Sequence, residues 1–133
     1  MQYKIWNGAS AIVINDHKVL MVRSKGTNSW GVPSGEIENN EKPEEACIRE
    51  VWEETGYKVT INKPLHTKKT FIKDYEVTTA YFLCEIIGGS IQYHDPDDII
   101  EEIAWKSIEE IKNIEHDYPE DKEILMQMTN QIS

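Results

Sequence analysis

The sequence contains little that would support secretion, membrane anchoring or a covalent framework. Its two cysteines, Cys47 and Cys84, are too few for the disulfide scaffold of a small exported domain. The chain shows no apolar run near the roughly 20 residues that span a bilayer. Its first residues also lack a basic segment followed by an apolar core. We therefore expect a protein of the reducing cytoplasm, neither exported nor bound to a membrane.

Basic residues are scarce as well. There are 14 lysines and arginines against 24 acidic residues, which gives a formal net charge of -10. Such a balance opposes binding to duplex DNA or to anionic lipid. A small phosphate-bearing molecule is still compatible if divalent cations bridge its phosphates to carboxylates. We expect a small-molecule partner of this kind, and a homodimer is left open.

The chain of 133 residues has the length of one domain, and we expect residues 1–133 to form it. It shows neither internal repeats nor linkers. Hydrophobic patterning predicts strands over 9–14, 18–23, 57–61, 65–72, 75–86 and 103–105, and helices over 43–55, 107–114 and 119–128. The acidic segment 94–102 is predicted to be a loop. This order predicts an α/β fold with a mixed sheet covered by helices on both sides.

The helix over 43–55 has clear ends. Pro43 suits the first helical position, and Gly56 suits the position just past the end. Lys42 is a weak choice for the N-cap, where serine, threonine, aspartate or asparagine is preferred. The first helix is thus predicted from its own terminal signals.

Three carboxylates, Glu50, Glu53 and Glu54, share one face of this helix, because spacings of three and four residues return to the same side. The opposite side carries an apolar stripe, which we expect to pack against the sheet. Its members are Cys47, Ile48, Val51, Trp52 and Thr55. The acidic face is then directed toward solvent or a cleft.

Like charges this close repel each other, and a bound cation relieves the repulsion. Hard oxygen ligands favour Mg²⁺, Mn²⁺ or Ca²⁺ over zinc. The competing interpretation, a merely solvated acidic face, is the commoner one for an arbitrary glutamate-rich helix. The residues around the helix decide between the two.

The surroundings match a longer pattern, G-x5-E-x7-R-E-u-x-E-E-x-G-u, where u is an apolar residue. Its fixed positions are Gly35, Glu41, Arg49, Glu50, Glu53, Glu54 and Gly56. Over these 23 residues the chain resembles the MutT-like Nudix hydrolases. The resemblance implies an α/β/α sandwich and hydrolysis of a diphosphate linkage in a nucleoside di- or triphosphate or its derivative. It also implies dependence on Mg²⁺, with Mn²⁺ able to substitute.

The resemblance assigns roles position by position. Glu50, Glu53 and Glu54, with the main-chain carbonyl of Gly35, would be metal ligands. Arg49 would orient the carboxylates through its planar fork. A further residue, Glu41, would brace the loop by bonding to Arg49 or back to the helix.

Residues outside the pattern are less well defined. The base that activates water is expected to be Glu53 or an acidic residue of a later loop, where Asp98, Glu101 and Glu102 are the candidates. Of these, Glu102 or Glu101 is expected to contact a metal, and Glu102 is the expected catalytic residue. Arg23 is expected to bind substrate phosphates. Tyr75 resembles a tyrosine that marks dinucleoside polyphosphate hydrolases, so it is a candidate substrate-binding residue.

Two other functions stay open. The chain could be a nucleotide-sensing domain that retains the fold without cleaving its ligand, although every charged position of the pattern is present. It could also be an isoprenyl-diphosphate isomerase, which uses a similar fold but needs a catalytic cysteine. Cys47 is predicted on the apolar side of the helix and Cys84 within a strand, so neither suits that role.

Overall fold

The structure, a computed structural model, describes residues 2–93 and 95–131. Its strands are β1 (Lys4–Asn15), β2 (Lys18–Ser24), β3 (Ser29–Gly31), β4 (Ser34–Glu36), β5 (Tyr57–Ile72), β6 (Tyr75–Gly89), β7 (Ile100–Lys106) and β8 (Glu115–His116). Its helices are α1 (Pro43–Thr55), α2 (Ile108–Asn113) and α3 (Lys122–Gln131), with a 3₁₀ turn at Pro119–Asp121.

The strands form a mixed sheet in the order β5-β6-β1-β2-β3-β8, with β4 added to β1 and β7 added to β2. Strand β1 runs parallel to β6 and antiparallel to β2 and β4. It therefore lies at the centre and brings β4, the strand that precedes the loop to α1, beside the main part of the sheet.

The two faces of β1 supply two separate cores. Ala11 and Val13 pack with Val51 of α1, whereas Ile12 packs with Ile111 of α2 and with α3. This division follows from the alternation of side chains along a strand. One helix thus covers one face and two helices cover the other, which confirms the predicted α/β/α sandwich.

The predicted helix over 43–55 is confirmed. Gly56 takes the left-handed conformation, with φ of 87°, and its N–H donates to Trp52 O. At the other end Lys42 gives no side-chain cap, but the Glu45 carboxylate accepts from the Lys42 N–H at 2.7 Å. The carboxylate of the first turn thus satisfies the N-terminus that the weak cap leaves open.

The predicted apolar stripe is wrong for two of its five members. Cys47, Val51 and Thr55 are buried, but Ile48 is 37% exposed and Trp52 44% exposed. In their place the carboxylate-bearing Glu54 is buried, at 8% exposed. The sheet covers a narrower side of α1 than the pattern suggested, because β4 crosses next to Glu54.

Two strands predicted separately, 57–61 and 65–72, are one long strand, β5. Its pairing with β6 shifts register between Ile61 and Lys63 and again between Pro64 and His66. Such bulges let a strand continue past residues that would otherwise interrupt it, and Pro64 is tolerated because β5 is the outer strand of the sheet. The gap in the sequence pattern therefore marks two bulges.

The prediction of a loop over 94–102 is wrong for its last three residues, and its first residue cannot be compared with the structure. Strand β7 begins at Ile100, so Glu102 belongs to the β2–β7 ladder opposite Arg23. His94 lies outside the described residues. Strand β1 also begins earlier than predicted, at Lys4, because its exposed first residues pair with β6.

The Ser107 cap of α2 gives a test of the sequence signals for helix starts. Ser107 Oγ accepts from the Glu110 N–H at 3.3 Å, and the Ser107 N–H donates to the Glu110 carboxylate at 3.0 Å. We expect Ser107→Ala to lower the free energy of unfolding by about 1 kcal/mol in urea titrations. The exposed Ser90 offers a matched control, and Ser90→Ala should change it by less than about 0.5 kcal/mol.

The same cap predicts a dependence on pH. The Ser107 N–H lowers the pKa of the Glu110 carboxyl below its ordinary value. A carboxyl group with a lowered folded-state pKa binds its proton more weakly when folded, so its contribution is lost as pH falls. The difference in the free energy of unfolding between wild type and Glu110→Gln, measured by urea titration, should therefore shrink as the pH is lowered.

Among the described residues, the helices are all too short or too polar to cross a bilayer.

Candidate active site

Strand β4 and helix α1 place Gly35 against Glu50. A Cβ atom added to Gly35 would lie 2.3 Å from Glu50 Cδ, so the carboxylate of Glu50 packs directly on the main chain at Gly35. Gly35 pairs with Ala9 of the central strand, which fixes its position. Glycine is required here for space, since any side chain would push the Glu50 carboxylate away.

Glu54 is the most buried acidic side chain of α1. Its Oε1 accepts from the Ser34 N–H at 3.2 Å, and the carboxyl group of Glu50 lies beside it. Burial raises the pKa of Glu54 well above its ordinary value, and the charge of Glu50 adds to the effect. Burial also raises the pKa of Glu50. Both carboxyl groups thus hold their protons more tightly than a free glutamate does.

Arg49 holds the other carboxylates of this site. Its Nε and Nη2 atoms donate to the two oxygens of Glu41 at 2.8 and 3.0 Å, a two-pronged ion pair. Its Nη1 atom donates to Glu50 Oε1 at 2.5 Å and lies 3.4 Å from Glu53 Oε2. The Glu41 carboxylate raises the pKa of Arg49, and Arg49 in turn lowers the pKa of Glu41.

The loop before α1 is tied to the same guanidinium. Arg49 Nη2 also donates to the carbonyl of Glu36 at 2.9 Å, and the Glu38 N–H donates to Glu41 Oε1 at 3.0 Å. Arg49 therefore links β4, the loop and α1. Every residue of the pattern between Gly35 and Glu54 lies in this one contact network.

The carboxylates are close but not arranged around an ion. Within residues 2–93 and 95–131, no group of three or more histidine, cysteine, aspartate or glutamate side chains could hold a metal as placed. Arg49 Nη1 contacts both Glu50 and Glu53 in this arrangement. The guanidinium therefore takes part of the charge compensation that a cation would provide.

Two predicted residues outside the pattern meet each other. Arg23 of β2 and Glu102 of β7 form an ion pair with 3.2 Å between Nη2 and Oε1. The Arg23 Nη1 atom also donates to the carbonyl of Thr27 at 2.9 Å. The antiparallel β2–β7 ladder brings the two residues together, and the Arg23 guanidinium also lies 6.0 Å from the centre of the Trp30 ring.

Tyr75 lies at the start of β6, opposite Lys4 of β1. It is 38% exposed, and the Lys4 ammonium lies 5.6 Å from its ring centre. Lys4 is four residues along β1 from Gly8, which pairs with β4, so this offset is about 13 Å. The structure therefore does not bring Tyr75 into the contact network of Arg49.

Three residues that the sequence did not single out lie in the same cleft as Glu54. They are Asp117, Tyr118 and Asp121, which follow β8 and form the approach to α3. The cleft has a volume of about 190 Å³. The available signal was the acidic and aromatic segment His-Asp-Tyr-Pro-Glu-Asp, which ends in a proline-initiated turn.

Residues 4–128 match the NUDIX domain family, and the chain belongs to that family. This confirms the resemblance seen over 35–57. A MutT-like protein of Streptomyces ambofaciens is 29% identical over 105 residues, covering 72% of this chain and 67% of its own. Nudix hydrolase 6 of Arabidopsis thaliana is 31% identical over 131 residues, covering 92% of this chain and 46% of its own.

The solved structures agree on the fold. A crystal structure of a UDP-X diphosphatase superposes with a TM-score of 0.81 at 22% identity, over 98% of this chain and 65% of that one. The chain thus spans about two thirds of that protein and under half of the Arabidopsis relative. The family match and this superposition agree on the fold.

Proposed function

We propose that the chain hydrolyses a diphosphate linkage in a nucleoside di- or triphosphate, or in a derivative of one, with Mg²⁺ as cofactor. Mn²⁺ is proposed to substitute for it. The observation that carries the proposal is the pair of Glu50 and Glu54 carboxyl groups, of which Glu54 is buried and Glu50 packs against the main chain of Gly35. An acidic pair of this kind is costly unless a cation neutralises it.

The donor set fits a hard divalent ion. Glu50, Glu53 and Glu54 offer carboxylate oxygens, and Gly35 offers a main-chain carbonyl. Burial raises the pKa values of Glu50 and Glu54, and a bound cation would favour their ionised forms. Mg²⁺ bound to such oxygens would screen the diphosphate and stabilise charge on the departing phosphate.

The side chains of this site then have separate tasks. Arg49 keeps Glu50 and Glu53 in place while Glu41 holds the guanidinium itself. Glu53 is half-buried, and we propose it as the base that takes a proton from the attacking water. The water oxygen bonds to phosphorus, the bridging P–O bond breaks, and its electron pair leaves with the departing phosphate.

Glu102 and Arg23 are proposed to act at the phosphate end. Glu102 is the alternative base or metal contact, and in either role it would have to leave its ion pair with Arg23. The freed Arg23 guanidinium would then be available to a substrate phosphate. Tyr75 is kept as a candidate substrate contact for substrates that extend along β1.

The proposal extends to the cellular compartment and the binding partner of the chain. We place it in the cytoplasm, because Cys47 and Cys84 are free thiols with only 3.7 Å between their sulfur atoms. Its proposed partner is a small nucleotide, without duplex DNA or membrane, and size-exclusion chromatography would test for a homodimer. The hydrogen bond to Cys84 and burial raise the pKa of the Cys47 thiol, which does not favour a cysteine-dependent isomerase.

A nucleotide panel with Mg²⁺ tests the proposed reaction. We expect phosphate or pyrophosphate release that EDTA abolishes, and a loss of about 10²- to 10³-fold in kcat for Glu53→Gln. Glu44→Gln is the matched control, because Glu44 is an exposed glutamate of the same helix outside the contact network. Nucleotide binding without any product would instead support a sensing domain.

A further inference from the structure

One end of the sheet extends beyond the helix that covers it. Ala9, Ala11 and Val13 of β1 pack in the same core as Val51 of α1. Along the same face Ile5 lies four residues, or about 13 Å, before Ala9. Its side chain is 66% exposed. The first residues of β1, with the parts of β5 and β6 next to them, therefore present this face to solvent.

Two aromatic rings lie beside Ile5 on this face. The register places both Ile5 and Phe71 opposite Glu76, so the three side chains stand in one row. Phe71 is 58% exposed, and its ring centre lies 4.8 Å from that of Tyr3, which is 45% exposed. These three apolar residues, Tyr3, Ile5 and Phe71, form one continuous surface, which we call the end patch.

The end patch is large enough to be a binding surface. Three side chains exposed to this extent leave roughly 300 Å² of apolar area in water, which is in the range of the functional patches of monomeric proteins. An apolar sheet face is stabilised by another layer that packs against it. The helices provide that layer over the two cores of this chain. At the end patch a further layer would have to come from another molecule.

The charges around the end patch are balanced. Lys4 Nζ lies 3.8 Å from an oxygen of Asp74, and Lys69 Nζ lies 3.2 Å from an oxygen of Glu76. Lys73 occupies the turn between β5 and β6. The chain as a whole has 24 acidic against 14 basic residues, so two copies repel each other over most of their surfaces. At the end patch two copies could approach without that repulsion.

We propose that the end patch is the interface of a homodimer, in which two copies pack the uncovered ends of their sheets face to face. A two-fold axis brings the same surface of each copy together, and a surface that carries both signs of charge is complementary to itself. Packed sheets lie about 10 Å apart with interdigitated side chains, a spacing suited to the isoleucine and the two rings from each copy. The inference goes beyond the proposed reaction and does not depend on it.

The size of the surface predicts a reversible dimer. Two end patches would bury about 600 Å² of apolar area, and the charged residues around them would bring the total to about 1,200 Å², the lower limit of specific interfaces. Interfaces of this size belong to transient complexes. The contact uses a face of the sheet, so the outer edge of β5 takes no part in it.

Sedimentation velocity at protein concentrations from about 1 to 200 μM tests the interface. We expect wild type to change from monomer to dimer with a midpoint of about 10 μM. Ile5→Glu should raise the dissociation constant at least about 100-fold, because the dimer would bury a carboxylate among apolar groups. Phe71→Ser, which adds no charge, should raise it at least about 10-fold.

Ile87 provides the matched control. It is also an isoleucine of this sheet, it is 67% exposed, and it lies near the opposite end of β6 from the end patch. Ile87→Glu adds the same charge as Ile5→Glu, and its dissociation constant should stay within about threefold of the wild-type value. Circular dichroism should show that both variants are folded, since both positions are exposed.

Salt and a pair of charge variants test whether the surface is complementary to itself. Salt screens the repulsion between two acidic chains, so the dimer should become at least about threefold tighter between about 50 and 500 mM NaCl. Lys69→Glu and Glu76→Lys should each weaken self-association, because each leaves the surface with an excess of one sign of charge. An equimolar mixture of the two variants should form a heterodimer within about threefold of the wild-type affinity.

Four results would overturn the inference. One is a wild type that stays monomeric at about 200 μM and either salt concentration. Another is a folded Ile5→Glu that dimerises as tightly as wild type. Equal loss of the dimer in Ile5→Glu and Ile87→Glu would place the contact elsewhere. A mixture of Lys69→Glu and Glu76→Lys that forms no heterodimer would refute the two-fold arrangement.

Discussion

Glu54→Gln should remove activity and stabilise the metal-free protein at the same time. The substitution keeps the shape of the side chain but removes a carboxylate proposed to bind Mg²⁺, so we expect kcat/KM to fall about 10²- to 10³-fold. The same change removes a carboxyl group whose pKa is raised by burial and by the charge of Glu50, so that its ionised form is costly in the folded protein. Residues chosen for stability alone would not carry that charge.

The direction of the stability change depends on pH. Because the folded-state pKa of Glu54 is raised, the folded protein holds this proton more tightly than the unfolded chain does. Stability from this group is complete below the ordinary pKa and is lost as pH rises through the raised value. The melting temperature in EDTA should therefore fall with rising pH less steeply for Glu54→Gln than for wild type.

Added Mg²⁺ should reverse the order of the two proteins. An ion that binds the folded state stabilises it in proportion to its affinity, and wild type should gain more than Glu54→Gln. Differential scanning fluorimetry with and without Mg²⁺ measures both effects in the same samples. Equal gains for wild type and Glu54→Gln would argue that Glu54 is not a ligand.

Gly35→Ala should inactivate the enzyme through a single methyl group. A Cβ atom at Gly35 would fall 2.3 Å from Glu50 Cδ and 2.5 Å from both carboxylate oxygens, so the Glu50 side chain must move. Displacement of a ligand by about 1 Å costs on the order of 10²-fold in rate. We expect a loss of at least this size in kcat/KM.

The control for Gly35→Ala is a glycine with free space around it. Gly88 has no atom within 4 Å of an added Cβ, so Gly88→Ala should keep wild-type activity. If the steric explanation is right, Gly35→Ala combined with Glu50→Asp should regain part of the activity, since the shorter acid leaves room. If Glu50→Asp restored no activity to Gly35→Ala, the loss would instead come from a displaced main-chain carbonyl of Gly35.

The predictable part of the site was the part encoded within one helix. Glu50, Glu53 and Glu54 share a face by spacing alone, and α1 begins and ends where Pro43 and Gly56 indicate. Which neighbouring side chains are buried was not predictable, because that depends on where β4 crosses α1. As a result Glu54 is buried, where the pattern predicted Trp52.

The remaining parts depend on contacts between distant segments. Arg23 meets Glu102 only because β2 and β7 pair across 79 residues. The segment of Tyr118 reaches the cleft only because β8 pairs with β3, an association of two-residue and three-residue strands that leaves little pattern in the sequence. Local propensity does not encode such pairings.

The outer strand β5 has a consequence for behaviour at high concentration. An unpaired strand edge is a template on which other chains can add, and β5 is 16 residues long. Pro64 lacks an N–H, and the two register shifts bend the row of peptide groups that a newcomer would need. Replacing Pro64 and removing the two bulges would straighten this strand. Such a variant should therefore aggregate at high concentration while its catalytic activity is still unchanged.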